Sequence, residues 1–215
     1  MNTEEYSFEL SKNRWSNPIP LEFKFATDGT PSESRTELSL SYTGNFFHID
    51  FNCFDNPNVD ENYYKVSNEP LYNQEVFEVF ISGGSKDPKS YLEVEINPNN
   101  AIWVGEIDNP SLGEQMQTIK QMIDPKESKI EHTVEATKDS WKGRLSIPWD
   151  LIGRSEDNQY RINFYRVRSI KAQHNKRDWI CDLENCEFLC WSPTLSGESP
   201  AFHRPKMFGH MKLNG

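Results

Sequence analysis

Oxygen donors crowd one short stretch of the chain. In Asp55-Asn-Pro-Asn-Val-Asp-Glu, carboxyl and amide groups stand at positions 55, 56, 58, 60 and 61, a density that hard Ca2+ favours. The run has neither the glycine nor the spacing of an EF-hand. Asp55, Asn58, Asp60 and Glu61 are therefore candidates for a structural calcium site, set against a solvated acidic loop. Softer donors gather later, where His174, Cys181, Cys186 and Cys190 are spaced H-x6-C-x4-C-x3-C. That spacing lacks the pairing that closes a tetrahedral zinc site. The alternative is that Cys190, between Leu189 and Trp191, fills core, while Cys181 and Cys186 form one local disulfide if the protein is secreted. The histidines at 48, 132, 174, 203 and 210 form no HExxH motif and no two-His-one-carboxylate set. A pair of acids that hydrolyses a glycosidic bond needs a separation of roughly 5–9.5 Å across a cleft. Glu75 and Glu78 lie three apart on a strand and so point to opposite faces. Glu93, Glu95, Asp150 and Asp178 have no spacing that singles out a pair.

The elements that must position these groups are strands. Period-two alternation runs through Leu21-Glu-Phe-Lys-Phe, Leu38-Ser-Leu-Ser-Tyr, Phe47-His-Ile-Asp-Phe-Asn-Cys, Val76-Phe-Glu-Val-Phe-Ile and Tyr91-Leu-Glu-Val-Glu-Ile. It continues through Ala101-Ile-Trp-Val-Gly, Ile130-Glu-His-Thr-Val-Glu-Ala, Trp141-Lys-Gly-Arg-Leu-Ser-Ile and Tyr160-Arg-Ile-Asn-Phe-Tyr-Arg-Val. Turn residues separate them, as in Ser82-Gly-Gly-Ser and Asn97-Pro-Asn-Asn. The pattern predicts an all-β, antiparallel β-sandwich, jelly-roll or immunoglobulin-like, with one or two short helices. Ile147-Pro-Trp-Asp-Leu-Ile-Gly has a proline suited to a first helical turn and a glycine suited to its stop, and Gln115–Ile123 is a second helix candidate. No repeat, linker or shift in composition divides residues 1–215, which are expected to form a single domain.

Composition narrows the partners. The 215 residues carry 33 acidic and 23 basic side chains, net charge −10. The densest charge runs are acidic, whereas a nucleic acid needs clustered Lys and Arg to replace its counterions. Nucleic acid is excluded on that ground. No stretch approaches the roughly 20 apolar residues of a membrane helix. Met1-Asn-Thr-Glu-Glu-Tyr lacks a basic start and apolar run, which reads as cytoplasmic, or as secreted or periplasmic if an export signal has been removed. The 27 aromatics (6 Trp, 8 Tyr and 13 Phe) are spread along the chain, as a folded core requires and an acidic disordered tail would not.

The order of segments resembles the family 9 carbohydrate-binding modules and their relatives in the DOMON-like β-sandwich group. The resemblance rests on Leu71-Tyr-Asn-Gln-Glu-Val-Phe-Glu-Val-Phe-Ile, Tyr91-Leu-Glu-Val-Glu-Ile-Asn-Pro-Asn, Trp141 through Ile147-Pro-Trp-Asp-Leu-Ile-Gly, and Arg161-Ile-Asn-Phe-Tyr-Arg. It closes with Trp191-Ser-Pro and Phe202-His-Arg-Pro-Lys-Met-Phe-Gly-His. It implies a non-catalytic lectin module that holds a mono-, oligo- or polysaccharide between two aromatic rings and reads its hydroxyls with polar side chains, often beside structural calcium. By the same resemblance the second ring is Phe202, followed by the polar pair His203 and Arg204. The first belongs to the loop before Gln74, where Tyr63, Tyr64 and Tyr72 stand and tryptophan does not. The polar readers fall at Asn73 and Tyr165, where characterised binders carry an acidic and an amide side chain. Altered readers on Phe and Tyr imply weaker sugar binding or a different ligand. No cofactor is required, and a structural calcium is the one candidate ion, with a solvated acidic loop as the default reading.

Bland readings stand beside these. Trp141, Trp149 and Trp191 sit where a sandwich buries its aromatics. Trp103 faces outward if Ile102 and Val104 face in, and Phe202 could cap the sandwich. The alternative function is a glycoside hydrolase-type enzyme, or a module attached to one in polysaccharide catabolism. A haem-binding domain like other DOMON relatives comes last, since Met207 and His210, three apart on an expected strand, would face opposite sides.

Overall fold

Two sheets account for nearly all of the alternating segments. The structure, a computed structural model, describes residues 5–16, 19–20 and 22–214, without the side chains of 19 and 20. Leu21, the first residue of one expected strand, lies outside the described residues. The smaller sheet holds β2 (Ile19–Pro20), β4 (Thr36–Tyr42), β5 (Phe46–Cys53), β10 (Glu131–Ala136) and β11 (Trp141–Pro148). Its order is β10-β11-β5-β4-β2, antiparallel throughout. The larger sheet runs β1 (Ser7–Ser11), β14 (Gly209–Asn214), β12 (Gln159–Ser169), β6 (Val76–Gly83), β7 (Ser90–Ile96), β8 (Ile102–Asp108), β9 (Thr118–Met122). β13 (Cys186–Cys190) pairs with the second half of β12 and carries the short β3 (Lys24–Phe25). The pairing of β1 with β14 is parallel, an exception to the antiparallel expectation.

The alternation sends every second side chain of the large sheet into the core between the sheets. Phe77, Val79 and Ile81 of β6, Leu92, Val94 and Ile96 of β7, and Ile102 and Val104 of β8 meet Leu38, Leu40, Ile49, Phe51 and Leu145 from the small sheet. Phe51 and Phe77 stack across the interface at 4.5 Å. Trp141, Trp149 and Trp191 all pack in this core, as expected of sandwich aromatics. Pro148 caps α2 (Trp149–Ile152), and Gly153 at φ +86° ends it, a left-handed position that costs glycine little.

Gln115–Ile123 is not a helix. Its residues 118–122 form β9 on the edge of β8, with Ile119 opposite Ile107. Every residue of β9 is exposed, so no buried stripe of 3.6-residue period exists for a helix to dock, whereas the open edge of β8 offers unpaired N–H and C=O groups. The other short helix is α1 (Pro125–Ser128), whose first turn is capped by the Asp124 side chain accepting from Lys126 N–H.

One ionic group lies inside the sandwich. Glu75, just before β6, and Arg166 of β12 are both fully buried and 3.3 Å apart. Trp141 Nε1 and the Ser169 N–H donate to the Glu75 carboxylate at 2.9 and 2.8 Å. Arg166 in turn donates to the Phe54 and Arg35 carbonyls and to Thr36 Oγ1. A buried charge pair persists only when its remaining hydrogen bonds are met in this way.

Candidate functional site

The outward face of the large sheet carries a second layer. Phe80, Tyr91, Trp103, Tyr165 and Phe208 pack there under the loops that follow β8, β12 and β13. Between those loops the sheet is open, and a cleft of about 1030 Å³ remains, at the upper end of small-ligand sites, about 300–1,000 Å³. Alternation places its floor: Glu78 of β6, Glu93 and Glu95 of β7, and Trp103 and Ile107 of β8. Trp103 lies flat because the next outward residue on β8 is Gly105, where an added Cβ would come within 2.4 Å of the indole. Tyr72, half exposed on a 3-10 turn (Leu71–Asn73), stands at the rim. Phe202 lines the cleft as well and stacks on Tyr165 at 4.5 Å with planes 22° apart.

The Phe202 segment is fixed from beneath. Tyr165 donates its hydroxyl to the Phe202 carbonyl at 3.0 Å. The Asn109 side chain donates to the Tyr91 phenol oxygen and to the His203 carbonyl. With its oxygen so occupied, the Tyr91 hydroxyl is free to donate to His203 Nδ1, 2.7 Å away. The ring proton of His203 then sits on Nε2, 4.0 Å from Glu93. Burial depresses the His203 pKa to about 4, so the ring is neutral near pH 7.

The electrostatics of the floor are lopsided. Glu78 and Glu95 are direct cross-strand partners, a relation that brings Cβ atoms within about 5.5 Å, and Glu93 shares their face two residues along β7. Desolvation is the main cause that raises all three carboxyls, Glu93 to about 8 and the other two well above the ordinary range. Neither oxygen of Glu95, fully buried, meets a partner in good hydrogen-bond geometry, although the Glu93 carboxyl and the Tyr72 N–H lie beside them. Arg204 borders the same cleft, and its Nε is likewise buried and unpartnered.

No protein-family model matches the chain. Three solved structures match it over 97% of its length. A candidate carbohydrate-binding protein of Bacteroides uniformis is 16% identical, with a TM-score of 0.68 over 99% of that chain. A family 9 carbohydrate-binding module of Caldicellulosiruptor kristjanssonii follows, in complex with glucose (13% identical, TM-score 0.56, 96% of that chain) and with cellotriose (12%, 0.55, 94%). The fold is shared with the family 9 carbohydrate-binding modules. Among curated proteins, an extracellular protein of Arthroderma benhamiae is 26% identical over 154 residues, 65% of this chain. The chain spans 66% of that protein's length, just under two thirds.

The residues expected at the site do not all come together. Tyr72, Phe202, His203 and Arg204 come together around the cleft. Tyr64 does not reach it: 2% exposed, it packs in the layer beneath, with Tyr63 edge-on at 5.5 Å. Tyr165 is fully buried under Phe202, where it supports that ring and does not line the cleft. The Asn73 carbonyl accepts from the Cys181 N–H, and this residue does not line the cleft. Sequence spacing missed Trp103 and the Glu78–Glu93–Glu95 floor. The Trp-x-Gly step and the i, i+2 carboxyls were the available signals.

The acidic loop is tied to the protein itself. Asp55 accepts from the Arg35 N–H, Asn58 donates its N–H to Asn56, and Glu61 accepts from the His174 N–H. Asp60 belongs to the 3-10 turn Val59–Glu61. Among the described residues, no three His, Cys, Asp or Glu side chains are grouped to hold a metal. Cys181 and Cys186 form a disulfide, which dissolves the zinc set, and Cys190 is a buried thiol. Met207 ends a 3-10 turn while His210 lies on β14.

Proposed function

We propose that this protein is a non-catalytic carbohydrate-binding module whose site is the cleft over β6, β7 and β8. The observation that carries the reading is the cleft itself, with Tyr72, Trp103 and Phe202 around a floor of hydrogen-bonding carboxyls. A pyranose presents a face of C–H groups to an aromatic ring and a rim of hydroxyls to polar side chains, and this cleft offers both. The shared fold supports the reading, since two of its solved neighbours hold glucose and cellotriose. No metal or cofactor enters it, because side chains supply both the stacking and the hydrogen bonds.

The carboxyls of the floor raise the question of hydrolysis. A glycosidase divides its two acids into a protonated donor and an ionised partner, with pKa values pushed apart. Here all three are pushed in the same direction by the same burial. That arrangement reads hydroxyls without dividing the roles. Calorimetry against a panel of mono- and oligosaccharides tests the proposal. Binding is expected, and Phe202→Ala should weaken it at least about tenfold, or ~1.4 kcal/mol, with the fold retained. Silence across the panel, or release of reducing sugar from the oligomers by the wild type, would overturn it.

A further inference from the structure

Three carboxyls share the floor of the cleft. Glu78 and Glu95 face each other across the β6–β7 pairing, and Glu93 lies beside them. Glu75 offers the contrast within the same chain, because an arginine, an indole N–H and a backbone N–H complete it. On the floor, Glu95 borders the cleft fully buried, and its oxygens meet no donor in good hydrogen-bond geometry, with the Glu93 carboxyl and the Tyr72 N–H beside them. The surroundings supply little positive charge. His203 is held neutral by burial, Lys206 is paired with Glu114 at 3.1 Å, and Tyr72, Tyr91 and Tyr165 are neutral phenols. Among the described residues that line the cleft, Arg204 is the remaining cation, and it donates to the Ser196 carbonyl.

Neutral hydroxyls do not call for this arrangement. Amides read them equally well without the cost of placing three acids side by side in a desolvated floor. A cation on the ligand would offset that cost. A metal ion would require the acids to converge, and among the described residues no such group exists. An ammonium makes up to three hydrogen bonds and can span acceptors that do not converge on one point. The aromatic walls ask in addition for a flat apolar face, and Arg204 Nε offers a donor to an oxygen on the ligand.

We propose, on the carbohydrate-binding reading, that the cleft takes a sugar bearing a free amino group, with its ammonium against Glu78, Glu93 and Glu95 and its ring on the aromatic walls. Binding then ionises floor carboxyls that are protonated in the empty site, so protons leave as the amine enters.

Calorimetry on the full chain near pH 6.5 compares oligomers of glucosamine with their N-acetylated forms, with neutral gluco-oligomers and with a linear diamine. The glucosamine oligomer is expected to bind about tenfold or more tightly than the others. Its heat should depend on the ionisation enthalpy of the buffer, reporting proton release, while that of a neutral sugar should not. Glu95→Gln, isosteric with the protonated acid, should collapse the preference for the amine, so that the ratio of glucosamine-oligomer to neutral-oligomer affinity falls by about tenfold. Neutral and amino sugars bound equally well would overturn this inference and leave the carbohydrate reading standing. A diamine bound as tightly as the amino sugar would overturn the sugar part of it. No binding to any saccharide would overturn both.

Discussion

Glu75 and Glu95 are both fully buried carboxyls of the large sheet, one turned toward the sandwich core and the other toward the cleft. Five groups complete or brace Glu75 and its partner Arg166: Trp141 Nε1, the Ser169 N–H, Thr36 Oγ1 and the Phe54 and Arg35 carbonyls. Glu95 faces a second acid across the pairing and meets no hydrogen-bond donor in good geometry. The inner group is a solved electrostatic problem, and such groups hold a fold in register. The outer group is an unsolved one that a ligand can solve. A buried group without a good hydrogen-bond donor beside an open cleft therefore supports the proposed site better than any count of aromatic residues, most of which are core.

The difference predicts opposite responses to substitution. Arg166→Met strands the Glu75 carboxylate and should cost about 3–5 kcal/mol, a fall in Tm of roughly 6–20 °C for a chain of this size. Glu95→Gln should be neutral or stabilising in the same thermal melts. Equal losses in the two variants would erase the distinction between the two faces.

A smaller effect separates the layers. The core between the sheets is held by strand pairing, whereas the outer layer is held by loops and by the Cys181–Cys186 bridge, whose sequence separation is 5. So short a loop is worth about 2 kcal/mol. Replacing both cysteines with serine should lower Tm by a few degrees. The sugar affinity should fall with it, since Phe188, on the strand that begins at Cys186, packs edge-on against Phe202 at 6.2 Å. Unchanged binding at a lowered Tm would show that the bridge serves stability alone.

Much of the fold was legible because alternation is local. Eight of the nine expected strands exist to within a terminal residue, the one expected from Leu21 is strand only at Lys24–Phe25, and Trp149–Ile152 is the short helix its flanking proline and glycine announce. The elements that sequence missed or misread depend on partners far along the chain. β1 is ordered by a parallel pairing with β14 about 200 residues away, and β9 is a strand only because β8 has a free edge. The cleft was legible in part: the family resemblance named Phe202, His203, Arg204 and Tyr72, and these four line it. That Glu78 meets Glu95 depends on the register of the β6–β7 hairpin, which period-two patterning leaves open by whole steps of two. Burial of Tyr64 and Tyr165 depends on the loops that close over them, and no local pattern encodes that.

The smallest effect tests the outer face through its protons. Glu93 titrates near 8 in the folded chain against 4.5 when exposed, and Glu78 and Glu95 are shifted in the same direction. Groups so raised bind more protons folded than unfolded. Their contribution is complete below pH about 4.5 and is lost as pH rises through the folded value. His203 works in the opposite sense: lowered to about 4, it contributes fully above its unfolded value of about 6.5 and loses that as pH falls toward 4. Between pH 6.5 and 8 the histidine is constant while the carboxyls ionise, so Tm of the ligand-free protein should decline by a few degrees across that window. Glu95→Gln removes one of these acids and the repulsion that Glu78 feels, and should flatten the decline. A wild-type Tm that stays level from pH 6.5 to 8 would mean that water reaches the floor and the three carboxyls ionise as exposed groups do, which would remove the contrast with Glu75.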